Sequence, residues 1–185
     1  KLDKITQLMA LDGEGEHGPH SIVLGPDSMI YVIAGNFTTI PKMDNYRSLP
    51  SDKVDNLIPY ILDTHGHDSD SHLNGGWIAK TDSEGKSWDL IASGMRNGFD
   101  LAFNNEGELF TYGWRKGDAK WDERFLDNLP ATLNIGQGSP TNFINPNHAK
   151  FPEKYRNSLL AFDWSFGIIY AIHLEDFLFN DRFLT

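Results

Sequence analysis

Two histidines, His17 and His20, stand three apart in "GEHGPHSIVLGPD", just before an apolar run. An arginine and an asparagine, Arg96 and Asn97, stand side by side in "MRNGFDLAFNNEGELF", again just before an apolar run. These residue types have complementary chemistry. A neutral imidazole accepts a hydroxyl proton, because its reference pKa lies at about 6.5. A guanidinium fixes a carboxylate with two parallel hydrogen bonds. Phe99 follows closely and offers a flat apolar face. The competing structural reading has His17 capping a turn and Arg96 pairing with a surface carboxylate. His20, next to Pro19, either turns into the same site as His17 or hydrogen-bonds a neighbouring element. The second, structural role is the stronger expectation for it.

The elements that must carry these residues read as strands. "SIVLG" and "MIYVIAG" flank Gly25-Pro26-Asp27, and "GWIAKTD" and "SWDLIASG" flank Ser83-Glu84-Gly85-Lys86. "DLAFN" and "ELFTY" flank Asn105-Glu106-Gly107, and "SLLAFDW" and "IIYAIHL" flank Ser165-Phe166-Gly167. Each is a pair of β-branched or aromatic runs around a glycine-containing turn, the sequence form of a hairpin. Residues 53–62, "KVDNLIPYIL", suggest one short helical turn, which Pro59 interrupts. "KWDERFLDNLP" and "NIGQGSPTNF" read as loops, with Gln137, Ser139 and Thr141 approaching the last hairpin as His17 approaches the first.

One hairpin is used twice. Residues 17–31 superpose on 96–110 at a constant offset, placing Ile22, Val23 and Leu24 on Leu101, Ala102 and Phe103. His17 then falls on Arg96, and His20 on Phe99. Repeated antiparallel hairpins point to a β-propeller, whose four-stranded blades take about 40–50 residues each. The chain is long enough for roughly four blades at that rate. The innermost strand of a blade starts beside the central channel, so His17 and Arg96 are expected at one mouth. Facing one polar pocket, they would have Asn97 and Phe99 on its wall and His20 behind.

Composition narrows the functional classes. The chain has 185 residues and a formal net charge of −10, which argues against a nucleic-acid surface. It has no cysteine, hence no disulfide, thiolate zinc site or covalent haem attachment in this stretch. No apolar run reaches membrane-spanning length. The chain starts at Lys1 without a visible signal peptide and reads as processed or partial. "DTHGHDSDSH" gathers His65, His67, Asp68, Asp70 and His72. Imidazole and carboxylate together suit a divalent ion, but no spacing matches a ligand motif, and a solvated loop, with a lid over the mouth as its role, is the plainer expectation. Trp77, Trp88, Trp114, Trp121 and Trp164 read as packing aromatics rather than a sugar platform.

"HGPHSIVLGPD…IYVIAGN", "GGWIAKTDSEGKSWDLIASGMRNGFDLAFNNEGELF" and "KFPEKYRNSLLAFDWSFGIIYAIHL" resemble the glucose/sorbosone dehydrogenase-like β-propellers. Within them they are most similar to the large secreted bacterial proteins called membrane-bound dehydrogenases. The resemblance spans most of residues 10–174. It implies an all-β fold of four-stranded antiparallel blades, here one incomplete propeller domain over residues 1–185. It implies an oxidoreductase acting on a sugar or alcohol with pyrroloquinoline quinone at the channel. His17 is then the catalytic base, Arg96 and Asn97 hold the cofactor, and His20 and Phe99 complete its site. Phe99 stands where relatives carry a cofactor-binding glutamine, so it can stack but not hydrogen-bond. Periplasmic or extracellular location and a haem domain or cytochrome as electron acceptor follow from the same resemblance.

The chain departs from the family pattern in two places. A longer acidic and aromatic segment is expected between Tyr112 and Gly113, and a second shortening near Leu174. Main-chain breaks are therefore expected at both. The first would remove the region where relatives place calcium ligands, leaving calcium to a segment absent here. The alternative function is a non-catalytic propeller binding module of a larger secreted redox protein. A calcium-dependent lactonase would need channel carboxylates, for which Asp100 and Asp163 are the candidates.

Overall fold

A computed structural model of the chain describes residues 4–46, 76–114, 132–136 and 138–174. The expected helical turn over 53–62, the histidine-rich stretch 63–72, Gln137 and Trp121 lie outside these residues. The fold is all-β, with only single 3-10 turns among the described residues. Ten strands form: β1 Pro19–Leu24, β2 Ile30–Ala34, β3 Asn45–Tyr46, β4 Gly76–Thr81, β5 Trp88–Met95, β6 Asn97–Phe103, β7 Leu109–Trp114, β8 Pro140–Ile144, β9 Ser158–Asp163 and β10 Ile168–His173.

All four hairpins anticipated from the sequence pair antiparallel: β1 with β2, β4 with β5, β6 with β7 and β9 with β10. They assemble into a five-stranded sheet ordered β1-β2-β4-β5-β3, the two-stranded sheet β6-β7, and a three-stranded sheet ordered β10-β9-β8. Strand β6 lies between β1 and β8, so three sheets follow one another through their innermost strands. No closed ring is formed among the described residues. Two strands had no sequence forecast. β3 is a two-residue parallel addition to β5. β8 lies in a stretch that reads as loop because it opens on Pro140 and carries Asn142. Pairing with β9 makes it a strand all the same.

Strands β4 and β9 are buried on both faces, and successive side chains of the inner strands point to opposite faces, which divides the core into layers. In β2 and β4, Val32, Ala34, Trp77 and Ala79 pack on one side with Met43, Trp88 and Leu90. The Trp77 indole N–H donates to Thr38 O, which satisfies its polar atom inside this layer. From the opposite side Ile33 and Ile78 meet Leu101 of β6, joining the first sheet to the second. Ala102 of β6 then packs with Phe143, Leu159 and Ala161, joining the second sheet to the third. Trp77 and Trp88 are packing aromatics as expected, whereas Trp164 stands 73 % exposed in the β9–β10 turn. That turn lies at the end of the β9–β10 hairpin, where most of the side chain faces solvent.

The repeat seen in the sequence is a repeat of geometry. In the first loop the Gly25 N–H donates to Met29 O and the Ser28 N–H to Gly25 O. In the second the Asn104 N–H donates to Glu108 O and the Gly107 N–H to Asn104 O, at the same offset. Ser28 (φ 62°) takes the left-handed conformation at the place where Gly107 (φ 82°) takes it. Strand β7 spans the first expected break, the Tyr112–Gly113 position, with Tyr112 opposite Asp100 and Gly113 opposite Gly98 on either side of an irregularity in β6. The second expected break, at Leu174, falls at the edge of the described residues.

Polar bonds lock the second and third sheets. The Phe143 N–H donates to Asp100 Oδ2 at 3.0 Å, and the Asn145 amide donates to Phe103 O at 2.8 Å. The Tyr112 hydroxyl donates to Asp163 Oδ2 at 3.1 Å, and the Phe166 N–H donates to Asp163 Oδ1 at 3.0 Å. Burial, with the Asp163 bond and charge adding to it, pushes the Tyr112 hydroxyl from 10.0 to about 12. The folded state favours the neutral phenol. Its stabilisation is present in full below pH about 10 and is lost as the pH rises toward 12. Tyr112→Phe is expected to lower stability at neutral pH by about 1–2 kcal/mol, a charged-acceptor bond discounted for partial exposure. The variant should also flatten the alkaline decline, as urea melts across that pH range will report.

Candidate functional site

The first residues of β1, β6 and β8 carry the same irregularity. Pro19 faces Ala34 and Ser21 faces Ile33, so His20 is an extra residue in β1. Gly98 faces Gly113 and Asp100 faces Tyr112, so Phe99 is the extra residue in β6. Pro140 faces Asp163 and Asn142 faces Phe162, so Thr141 is the extra residue in β8. A β-bulge of this kind bends the strand and re-aims the side chain it inserts. Three successive inner strands thus present one bulged side chain each at the same end. The sequence held the first two equivalences in its repeat, but register is a property of pairing and could not be read from it.

The bulges bring two hairpins into contact. The His20 ring stacks on Phe99, centroids 4.3 Å apart at 25°. The His20 Nε2–H donates to Asn97 Oδ1 at 2.5 Å. The Asn97 amide donates in turn to Glu16 O at 3.3 Å, which sets the orientation of the carboxamide. Arg96 is the single residue between β5 and β6 and is half-buried; its carbonyl accepts the Asn36 N–H at 2.9 Å. Burial holds the His20 pKa below 6.5 against the Asn97 bond, which raises it, while His17 acts in the same direction as burial.

His17 is placed differently from the expectation that it fronts a pocket with His20 behind. It ends the turn Gly15–His17 and is only 3 % exposed. Its Nδ1–H donates to Asn36 Oδ1 at 2.6 Å, its Nε2 lies 3.8 Å from Glu16 Oε1, and its ring tilts against Phe37 with centroids 4.5 Å apart. Its carbonyl accepts the Phe37 N–H. His20 stands with Asn97 and Phe99, and His17 lies buried in the Gly15–His17 turn, bonded to Asn36. The physical reason is the bulge, which turns His20 toward the neighbouring hairpin.

The other candidates are accounted for by position. Asp100 and Asp163 accept from backbone amides and from Tyr112, as described above, and bind neighbouring strands together. Thr141 donates from Oγ1 to Phe162 O at 3.4 Å, and Ser139 exchanges a hydroxyl bond with Ser165 at 2.7 Å. Among the described residues no three metal-ligating side chains gather.

A flat quinone bearing carboxylates needs a cation, an amide and an apolar plane. Arg96, Asn97 and Phe99 supply these types at one corner of the fold, with His20 on one face of Phe99. In the structure the Asn97 carboxamide is bonded to His20 and to Glu16 O, and His20 covers one face of Phe99.

No family model matches the chain, and no curated protein matches it. Among solved structures it is similar to the PQQ-bound form of aldose sugar dehydrogenase from Streptomyces coelicolor, at 16% sequence identity and a TM-score of 0.46. That match covers 85% of this chain and 46% of the other, so the chain spans a little under half of that protein's length. No helix among the described residues is long and apolar enough to cross a membrane.

The loop after β2 fits against this corner with no spare room. A Cβ on Gly35 would lie 2.5 Å from His17 O and 2.6 Å from Asn97 Oδ1. Gly35→Ala is expected to force the turn and Asn97 apart, costing about 1–3 kcal/mol. His17→Ala removes the donor to a carboxamide oxygen that water does not reach, since Asn36 is 1 % exposed. It should lower stability by about 1–3 kcal/mol. Chemical denaturation of both variants checks these costs; an unchanged midpoint for His17→Ala would contradict its structural placement.

Proposed function

We propose that this chain is part of a propeller-type oxidoreductase that binds a sugar or alcohol, with a quinone cofactor, at the end of the inner strands where His20, Asn97 and Phe99 meet. One observation carries the reading: equivalent bulges in β1 and β6 place His20 on Phe99 and bond it to Asn97, next to Arg96. The family resemblance of the sequence supports the same activity. In this reading Arg96 and Asn97 would hold the polar groups of the cofactor and Phe99 would offer it an apolar surface. The quinone supplies a hydride acceptor. The chain's own residues orient the alcohol, exclude water from the Phe99 face and take up the hydroxyl proton.

A second reading, a non-catalytic binding module, is favoured by the burial of His17, the residue the resemblance makes the base. Calcium, a haem or cytochrome partner and a periplasmic setting belong to the resemblance and are proposed with it.

Absorbance titration with pyrroloquinoline quinone, followed by dye-linked oxidation of D-glucose and simple alcohols, separates the readings. The oxidoreductase reading expects saturable binding and turnover, with quinone binding weakened about tenfold or more by Arg96→Ala, the loss of one charge-assisted bond pair. Binding without turnover supports the module. A protein that binds no quinone sinks the first reading.

A further inference from the structure

The bulges give the three inner strands a common register, and the residues just past them point in opposite directions. Two residues past the bulges stand Ile22, Leu101 and Phe143; three past stand Val23, Ala102 and Ile144. Leu101 packs back on Ile33 and Ile78 of the first sheet, and Phe143 packs back on Ala102 of the second. Val23 and Ala102 make the matching forward contacts. Phe103, two further along β6, meets Tyr31 of the first sheet edge-on, ring centroids 5.0 Å apart. The backward positions of β1 have no sheet to meet among the described residues. Ile22 is 70 % exposed where Leu101 is 3 % exposed, and Leu24, the counterpart of Phe103, is exposed as well. The other end of the series is open too. Ile144 points forward from β8, and Phe162 and Ile169 share its face through the β8–β9 and β9–β10 pairing. Leu160 on that face is buried, but Ile144 and Phe162 are half-buried and Ile169 is 60 % exposed.

We propose that a second copy of this chain covers both faces: β8 of each copy packs forward on β1 of the other, and two chains close one ring of sheets. The second copy continues a contact the chain already makes twice, from the first sheet to the second and from the second to the third. One unused half of that contact is left at each end, and the two halves match. None of the side chains on them carries a charge, so burial of hydrocarbon is the driving force. Closure sets the number of copies. Rings of this kind use about four to eight sheets. One copy has three among the described residues, too few to bring its own ends together; two copies bring six, and a third copy exceeds the range. A head-to-tail contact that closes leaves neither face free, so association stops at the dimer. The proposal goes beyond the oxidoreductase reading and stands without it. It changes the mouth of the site all the same. His20 already stacks on Phe99 of the following sheet, and Thr141 of the partner subunit would neighbour it from the preceding one.

Sedimentation velocity and light scattering on the full chain, across a concentration series, test this. A species of twice the 20.9 kDa chain mass is expected. Ile22→Glu puts a carboxylate into the contact and should weaken dimerisation by about a hundredfold or more. Because Ile22 is exposed in the single chain, the variant should keep the circular dichroism spectrum of the wild type. The direction of the contact is read separately. The chain has no cysteine, so Ile22→Cys and Ile144→Cys each carry one thiol. A short bismaleimide should join the two variants once they are mixed and have exchanged subunits, and should leave either one alone uncrosslinked. A monomer at every concentration, a ladder of sizes without an end, or a dimer unaffected by Ile22→Glu overturns the proposal. So does crosslinking of Ile22→Cys to itself, which marks a dimer that pairs two β1 strands and leaves the ring open.

Discussion

Everything at the candidate site depends on the apolar junction of Ile33, Ile78 and Leu101. A sheet buries its second face only against another layer, and here the layer facing the first sheet is the β6–β7 hairpin. Ile33 is fully buried and Leu101 is 3 % exposed. That contact fixes the distance between β1 and β6, so the polar residues at their ends have one arrangement available. The His20–Asn97 bond and the His20–Phe99 stack add orientation to a spacing already set by hydrocarbon. Neither would hold two hairpins together alone, since a bond with one half-exposed partner contributes only about 1 kcal/mol.

The two histidines show how a backbone detail divides labour between similar side chains. Both precede the same strand, and both bond an asparagine carboxamide oxygen. His17 bonds within its own sheet's connections, to the loop that follows β2. His20 bonds across to the next hairpin. The first interaction closes a turn over Gly35, where any side chain would collide with the His17 carbonyl. The second spans a boundary between sheets, which is where a ligand can reach both partners.

The hairpins were legible because alternating β-branched and aromatic residues flanked turns with glycine, and the repeat was legible because its offset never slipped. Strand β8 was not, since Pro140 and Asn142 look like loop residues until β9 supplies a partner. The site was legible as a set of residues but not as an arrangement. Nothing in "HGPHSIVL" distinguishes a histidine that points back into its turn from one that points across a boundary. That distinction comes from one unpaired residue in the ladder, and pairing registers are decided by contacts far apart in sequence. The exposure of Trp164 was hidden for a related reason: a large aromatic usually packs, and only its place in a terminal turn leaves it outside.

The bulges at His20, Phe99 and Thr141 have an evolutionary consequence. Each residue lies outside the cross-strand pairing of its sheet, so exchanging its side chain leaves the flanking ladder bonds intact. An imidazole, a phenyl ring and a hydroxyl already occupy the same structural position in three consecutive units. Such positions form a small alphabet that drift and selection can rewrite without renegotiating the fold. Chemistry at this end of the molecule can therefore diverge faster than the scaffold beneath it, and descendants of one architecture can come to handle different ligands through changes at three letters.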